Sequence, residues 1–349
     1  MEKDKEWACN ADLSVLPEGC ISDIVSLTSP RDACRTCVVS PMFRAAAESD
    51  AVWDRFLPSD YKAIIARSSS SPLNFSSKKQ LYLTLSDNPI LIDDSKKCFF
   101  LDKLSGKKCY LIAARDLSIS WGDTSVYWSW VSLPESRFPE VAKLNRVWWF
   151  DIRVKMSTSM LSPKTSYTAY LVFKLRSGAF GFRNPPPAAS IGITGGQFHK
   201  QLVCLELDLP AEDPWSWPQD HIELQQYEVA SRPKQRKDGW LETELGEFFN
   251  EGGEDELQIS LMEVEAGTSK GGLIVEGIEI RPTIVTFTDS RIKFQKQLRE
   301  RERAYRIQSP AVTVRRDGVR CVRRALRVAV AGCYSAAPPS VLCAGGYRI

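Results

Sequence analysis

The chain has 349 residues, 43% of them apolar and 26% charged, with a formal net charge of +3. That length sets a prior of about two domains, and the composition is that of a globular chain rather than a disordered one. The charge is uneven: residues 288–349 hold twelve Arg and two Lys against four acids, a net of +10, which leaves −7 on residues 1–287 and argues against a nucleic-acid surface there.

The start, Met1-Glu2-Lys3-Asp4-Lys5-Glu6, is charged and has no apolar stretch resembling an export signal. No run approaches the ~18 apolar residues of a membrane span. The ten cysteines form no compact framework, so reduced thiols are expected.

Residues 12–58 read as four short helices. Pro17 suits a first helical turn, where its missing N–H costs nothing. Ile21, Ile24 and Val25 follow at i, i+3, i+4 as one apolar face. Ser29-Pro30-Arg31-Asp32 is a second start, with a Ser cap, Pro at the first position and an acid three residues on. Ser40-Pro41 is a third. Trp53, Phe56 and Leu57 cluster after Asp50, the expected fourth cap. A unit of this size is marginal alone, so part of its surface waits for a partner or packs on the rest of the chain.

Residues 59–96 read as a helical, Ser-rich connector, with helices near 59–66 and 77–86 around the break at Ser68–Pro72. From Lys97 the period changes to two. Cys98–Leu101 and Lys108–Ala113 form a hairpin around Leu104-Ser105-Gly106. In Trp148–Lys155, Trp148, Phe150, Ile152 and Val154 share one face. Strands follow at Tyr167–Leu175, Leu202–Leu207, Trp240–Leu245, Leu257–Val264 and Leu273–Ile280. Many short strands between Gly/Pro loops predict an antiparallel sandwich over residues 97–287. Long loops are expected at Gly178–Phe198 and Leu209–Gly239, and a basic, disordered tail at 288–349.

Two resemblances add function. Leu16-Pro17-Glu18 with the spacing of the second helix is similar to an F-box, the helical module that plugs a protein into a cullin-type ubiquitin ligase. The resemblance implies a Skp-type adaptor as partner, with Leu16, Pro17, Ile21 and Ile24 as its anchors. The runs Ala113–Asp123, Tyr127–Trp130, Tyr167–Leu175, Asp238–Glu242, Leu245–Asn250 and Gly271–Pro282 resemble, in order and spacing, the Nictaba-type, phloem-protein-2-like lectins of plants. That likeness implies a jelly-roll-like sandwich that binds N-acetylglucosamine oligomers or N-glycan cores. It implies Trp121, Trp128, Glu256 and Glu263 as the sugar-contacting residues.

Those residue types suit sugar binding, since indoles lie against the C–H faces of sugars and carboxylates accept from hydroxyl and acetamide groups. Glu256 and Glu263 are seven apart, however, an odd separation that puts them on opposite faces of an unbroken strand. Either Glu256 precedes the strand or a bulge intervenes.

Other constellations give no chemistry. Cys34-Arg35-Thr36-Cys37 has metal-like spacing but no second pair, and the chain has only His199 and His221. Gly192-Ile193-Thr194-Gly195-Gly196 lacks the Lys-Ser/Thr of a phosphate loop. No catalytic residues, cofactor or metal are expected.

The sequence reading is therefore an α+β multidomain protein, a small all-α F-box followed by an antiparallel β-sandwich lectin domain. It would be a non-catalytic ligase adaptor for glycosylated targets, cytoplasmic, with nuclear entry left open. A free stress or defence lectin, and an adaptor whose sandwich has lost sugar binding, are the alternatives.

Overall fold

The computed structural model describes residues 16–68, 74–206 and 231–283. The tail at 288–349 and most of the loop expected at 209–239 lie outside the described residues. The four expected helices are α1 (Glu18–Ser26), α2 (Pro30–Thr36), α3 (Pro41–Glu48) and α4 (Asp50–Phe56), followed by α5 (Tyr61–Ala66) and α6 (Lys78–Asp87). Ser29 and Ser40 cap α2 and α3, accepting from the N–H groups of Asp32 and Phe43, with Pro30 and Pro41 at the first positions. Ser49, not Asp50, caps α4. The Asp50 carboxylate is taken instead by the Lys78 N–H at the start of α6, 2.8 Å away.

The strands are β1 (Ile90–Ile92), β2 (Lys97–Leu101), β3 (Lys108–Ala113), β4 (Ser118–Ile119), β5 (Trp128–Val131), β6 (Val141–Leu144), β7 (Phe150–Ser157), β8 (Thr165–Phe180), β9 (Ala188–Ile193), β10 (Phe198–Leu202), β11 (Lys234–Gln235), β12 (Leu241–Asn250), β13 (Glu256–Glu263) and β14 (Gly271–Pro282). They make two sheets. One has the order β1-β2-β3-β14-β8-β12-β11, with the β5–β6 hairpin joined through β6 to β14; the other has the order β10-β9-β13-β7-β4. All the named strand pairings are antiparallel, for example Leu171 with Ile278 and Ile259 with Val154.

Three sequence expectations shift. Sheet pairing begins at β1, where Ile90 faces Phe99, ahead of residue 97. The span 178–198 is mostly strand: β8 runs on to Phe180, and β9 pairs with both β10 and β13. Its prolines and Gly181, Gly195 and Gly196 lie between these strands, while Gly178 and Gly192 lie within β8 and β9, and together they mask the alternation of Ala188–Ile193. Trp148 stands outside β7 and is exposed, whereas Phe150, Ile152 and Val154 are buried as expected.

One apolar core runs through helices and sheets. It takes in Val25, Trp53 and Leu57 from the first four helices, Leu81 and Tyr82 from α6, Phe99 and Tyr110 from the β2–β3 hairpin, and Phe150, Leu171 and Ile259 from the two sheets. Trp53 packs its ring at a tilt against Tyr82, at a centroid distance of 5.1 Å, and donates from Nε1 to the Ala47 carbonyl at 2.7 Å. A second, smaller cluster lies around Phe138 and Trp240, with Cys98, Leu111 and Val172.

Candidate functional site

The expected adaptor face divides in two. Ile21 is 1% exposed and packs in the core, so it is not available to a partner; Leu16 is half-buried against the same core. The buried stripe of α1 is Ile21, Ser22, Val25 and Ser26. At 100° per residue Ile24 lies about 130° from the centre of that stripe. It therefore points to solvent, 46% exposed, with Leu27 at 72%. Pro17 is exposed as the residue capping α1. Val38 and Val39, which follow α2, are also exposed. The i, i+3, i+4 reading merged two faces of α1: Ile21 and Val25 hold the helix down, and Ile24 and Leu27 are left outward.

The four sugar-site residues do not converge. Glu256 and Glu263 are the first and last residues of β13, which pairs with β7 without a bulge from Glu256–Ser157 to Glu263–Phe150. Seven steps of strand separate them by about 23 Å. Glu256 faces outward and accepts from Lys155, Gln258 and Thr194. The hydrogen bond from Lys155, then those from Gln258 and Thr194, lower its pKa to about 2.

Glu263 points inward. Its Oε1 accepts from the N–H groups of Glu265 and Ala266 at 3.1 and 3.0 Å, and its Oε2 pairs with the fully buried Lys270 ammonium. Lys270 Nζ also donates to the carbonyls of Thr268, at 2.8 Å, and Trp148, at 3.4 Å.

Trp128 is a core residue. It begins β5, is 2% exposed, and its Nε1 has no hydrogen-bond partner. Trp121 and Trp128 thus differ despite their closeness in sequence, one standing in solvent and the other in the core. Trp121 is 57% exposed, with its ring tilted against Tyr127 at 6.0 Å.

The backbone at Trp121 is unusual. Its φ is +65°, the left-handed region that bulky residues rarely occupy. Four hydrogen bonds hold the turn: Ser120 N–H to the Asp151 carbonyl, Gly122 N–H to Ile119, Thr124 N–H to Trp121, and Trp130 Nε1–H to Gly122, all between 2.9 and 3.0 Å. Arg115 lies over the Trp130 ring at 3.6 Å and is itself held by Glu140. Gly122 fits because a β-carbon there would meet the Ile119 carbonyl oxygen at 3.0 Å.

The Ser120–Asp151 bond continues the β4–β7 register of Ser118 with Arg153 and Ile119 with Ile152. It brings the Trp121 turn alongside the segment entering β7. That segment carries two more exposed indoles, Trp148 and Trp149, at 51% and 50%. Alternation alone puts Trp148 on one strand face with Phe150, Ile152 and Val154, but the strand begins only at Phe150.

The outer face of the larger sheet holds a charged network. Arg236 and Arg281 bridge Glu242 and Glu279, and Arg281 lies 3.8 Å over the Tyr170 ring. Burial alone would raise the Glu242 pKa, but the hydrogen bond and charge of Arg281, with Arg236 behind it, bring it below the usual value. Cys34 and Cys37 are half-buried at the C-terminal half of α2. Among the described residues, no group of three or more His, Cys, Asp or Glu side chains is arranged to hold a metal ion, and no helix is long and apolar enough to cross a membrane.

The family model for phloem protein 2 matches residues 107–282. The chain is similar to the Arabidopsis thaliana F-box protein PP2-B10, 45% identical over 269 residues that cover 76% of this chain and 92% of that one. It is 41% identical to Arabidopsis F-box protein PP2-B1, over 76% of this chain and 89% of the relative. It is 40% identical to Arabidopsis F-box protein SKIP3, over 77% and 88%.

Proposed function

The chain belongs to the phloem-protein-2-like F-box proteins of plants, and we propose that it is the substrate-recognition adaptor of a Skp–cullin–F-box ubiquitin ligase, with a lectin sandwich that selects glycosylated targets. The observation that carries the reading is the split of α1. Ile21 and Val25 bind the helical unit into the common core, while Ile24 and Leu27 remain as uncovered apolar anchors. Exposed apolar side chains on a unit that is otherwise well packed mark a protein interface, and a few such anchors concentrate binding energy.

In this reading the Skp-type adaptor covers Pro17, Ile24 and Leu27, and the cullin follows through that adaptor. The sandwich takes N-acetylglucosamine oligomers, N-glycan cores or the glycoproteins that carry them. The protein itself catalyses nothing; ubiquitin transfer belongs to other subunits. Work on intracellular targets sets it in the cytoplasm, with entry to the nucleus open to it.

Co-purification tests the adaptor role. Ile24→Asp with Leu27→Asp should abolish capture of a Skp-type adaptor and leave the melting temperature unchanged, since neither side chain is in the core. Capture of the adaptor by the double variant at the parent level would overturn the reading. A glycan array run with the parent protein tests the lectin role separately.

A further inference from the structure

The loop between β5 and β6 closes over the outer face of the larger sheet. Residues 132–140 carry no helix or strand, and the loop leaves and re-enters the sheet at one paired step, Val131 with Val141. A segment whose two ends are paired neighbours can move without disturbing the strands that flank it. Phe138 is buried, 3% exposed, whereas Ser132, Pro134, Glu135 and Pro139 around it are exposed. Phe138 plugs the smaller apolar cluster, with Cys98, Leu111, Val172 and Trp240, and Leu133 packs at its margin. We propose that residues 132–140 are a strap that opens on its own while the sandwich stays folded, and that the Glu276 carboxyl is its latch, closed when protonated and loosened when ionised.

Side chains of the sheet and its turns hold the strap down. Glu276 of β14 accepts through Oε1 from the Arg137 N–H at 2.9 Å and from the Ser136 hydroxyl at 3.3 Å. The Trp240 indole donates to the Glu135 carbonyl at 3.2 Å, and Lys174 of β8 pairs with the Glu135 carboxylate. The strap also bonds to itself, Ser136 N–H to the Leu133 carbonyl at 3.0 Å and the Ser132 hydroxyl to the Pro139 carbonyl at 2.7 Å, so it can lift as a unit. Its seam is incompletely bonded. Arg137 Nη1 and Glu276 Oε2 are both buried there without a hydrogen-bond partner. Keeping such a donor and acceptor from water is costly, and lifting the strap hydrates both.

The surroundings of Glu276 set the sense of the latch. Burial raises its pKa; the N–H and charge of Arg137 lower it, Asp238 raises it and Arg236 lowers it. Glu279 of the same strand and Cys98 of β2 complete the charged and titratable groups near it, and the Lys174 ammonium is committed to Glu135. Burial pushes the Cys98 thiol up to about 12, the charge of Arg137 opposes this, and Glu276 and Glu279 add to it. With the strap open, Glu276 stands in water and ionises freely. The closed state therefore binds the proton more tightly than the open one. By linkage, the open state gains as pH rises above the ordinary glutamate range, and the gain is complete once the closed-state carboxyl has ionised. Opening uncovers Phe138, Trp240 and Cys98 together.

Cys98 reports the opening. Cys98 and Cys109 share one face of the β2–β3 hairpin and are each 1% exposed, but only Cys98 belongs to the cluster that Phe138 plugs. The full chain is alkylated with N-ethylmaleimide in native buffer, and the rate at each thiol is read by peptide mass spectrometry. Cys98 should react about tenfold faster than Cys109 or more, since local opening is more frequent than global unfolding. Equal rates, or no reaction at either thiol, would overturn the strap. Phe138→Ala should speed Cys98 by about tenfold or more and leave Cys109 at the parent rate, because the plug is lost and the sandwich is not. A variant that speeds both thiols alike would show that the loop is part of the sandwich's own folding unit. Glu276→Gln removes the ionisation. It should slow Cys98 severalfold against the parent at pH 8 and by less at about pH 5, each comparison being made at one pH so that the thiolate fraction of the opened Cys98 is common to both proteins. A Cys98 rate in Glu276→Gln that equals or exceeds the parent rate at pH 8 would overturn the latch.

Discussion

The carboxylate of Asp60, just ahead of α5, accepts a hydrogen bond from the ammonium of Lys108, the first residue of β3, at 3.1 Å. Asp60 follows the first four helices and Lys108 opens the second strand of the β2–β3 hairpin of the larger sheet. The side chain of Lys108 is almost fully buried and also donates to the Ser159 carbonyl at 3.3 Å. The contact joins the helices to the sandwich in a region where Trp53, Tyr82, Phe99 and Tyr110 already share one core. Within the span 59–96, α5, α6 and β1 contribute Tyr61, Ile64, Leu81, Leu85 and Ile92 to that core.

Gly106 gives the first prediction. It turns the β2–β3 hairpin with φ +71°, and a β-carbon on it would stand 2.8 Å from the Phe56 carbonyl oxygen of α4 and 3.3 Å from the Tyr82 ring. Gly106→Ala should destabilise by about 2 kcal/mol or more, from the left-handed backbone and the contact with unyielding main chain. Because the core is continuous, helical and sheet signals should fall in one transition. Circular dichroism and tryptophan fluorescence melts that separate into two steps would show the helices to be an independent unit.

Ile21 and Ile24 provide the second prediction, since they are three residues apart and on opposite sides of the surface. Ile21→Ala should cost about 2–5 kcal/mol of stability, the range for truncating a buried aliphatic side chain. Ile24→Ala should change stability by less than about 0.5 kcal/mol. Chemical denaturation of the two variants decides it; equal losses would mean that α1 sits differently on the core.

The third prediction concerns Glu263 and Lys270. The sequence view makes Glu263 a sugar contact, where Gln would be a mild change. The structure makes it the counter-charge of an ammonium with no exposure to water. Breaking a buried pair by removing one partner leaves the other charge uncompensated, at a cost of about 3–5 kcal/mol. Glu263→Gln should therefore unfold far more readily than the parent. Adding Lys270→Met should restore much of the loss, and a double-mutant cycle on unfolding free energies measures the coupling.

How much of this was legible beforehand differs by element. Helices α2 and α3 announced themselves through Ser-Pro starts, a local signal that fixes φ and supplies a cap within four residues. The long strands were legible through alternation. β9 was not, because its residues Ala188-Ala189-Ser190-Ile191-Gly192-Ile193 are small and flanked by Pro and Gly, so composition read as loop. The order of the sheets was beyond any local pattern, since β3, β14 and β8 are neighbours from distant parts of the chain. Of the four residues that the resemblance offers for sugar, Trp121 and Glu256 face solvent. Glu263 shares the parity of Leu257, Ile259 and Leu261, so alternation alone already turns it inward, whereas the burial of Trp128 and the pairing of Glu263 with Lys270 depend on how the chain turns after each of them.

The last prediction turns on pH. Glu276 lies in β14 almost without exposure; its Oε1 accepts from the Arg137 N–H at 2.9 Å and the Ser136 hydroxyl at 3.3 Å, while its Oε2 has no partner. Burial, which disfavours the charged form, raises its pKa, and the hydrogen bond and charge of Arg137 offset this only in part. An acid whose pKa is raised on folding supports the fold below its unfolded value, near 4.5, and loses that contribution as pH rises through the folded value. At neutral pH the ionised carboxylate is thus a burden on the fold. Glu276→Gln keeps an acceptor for Arg137 and Ser136 without the charge. The variant should melt higher than the parent at pH 8, with the difference shrinking as pH is lowered towards 4.5, where the parent carboxyl takes up its proton. Melts recorded from pH 8 to pH 4.5 for both proteins check the sign; a variant less stable than the parent at pH 8, or a gap that widens towards acid, would show that Arg137 holds the ionised form more strongly than burial opposes it.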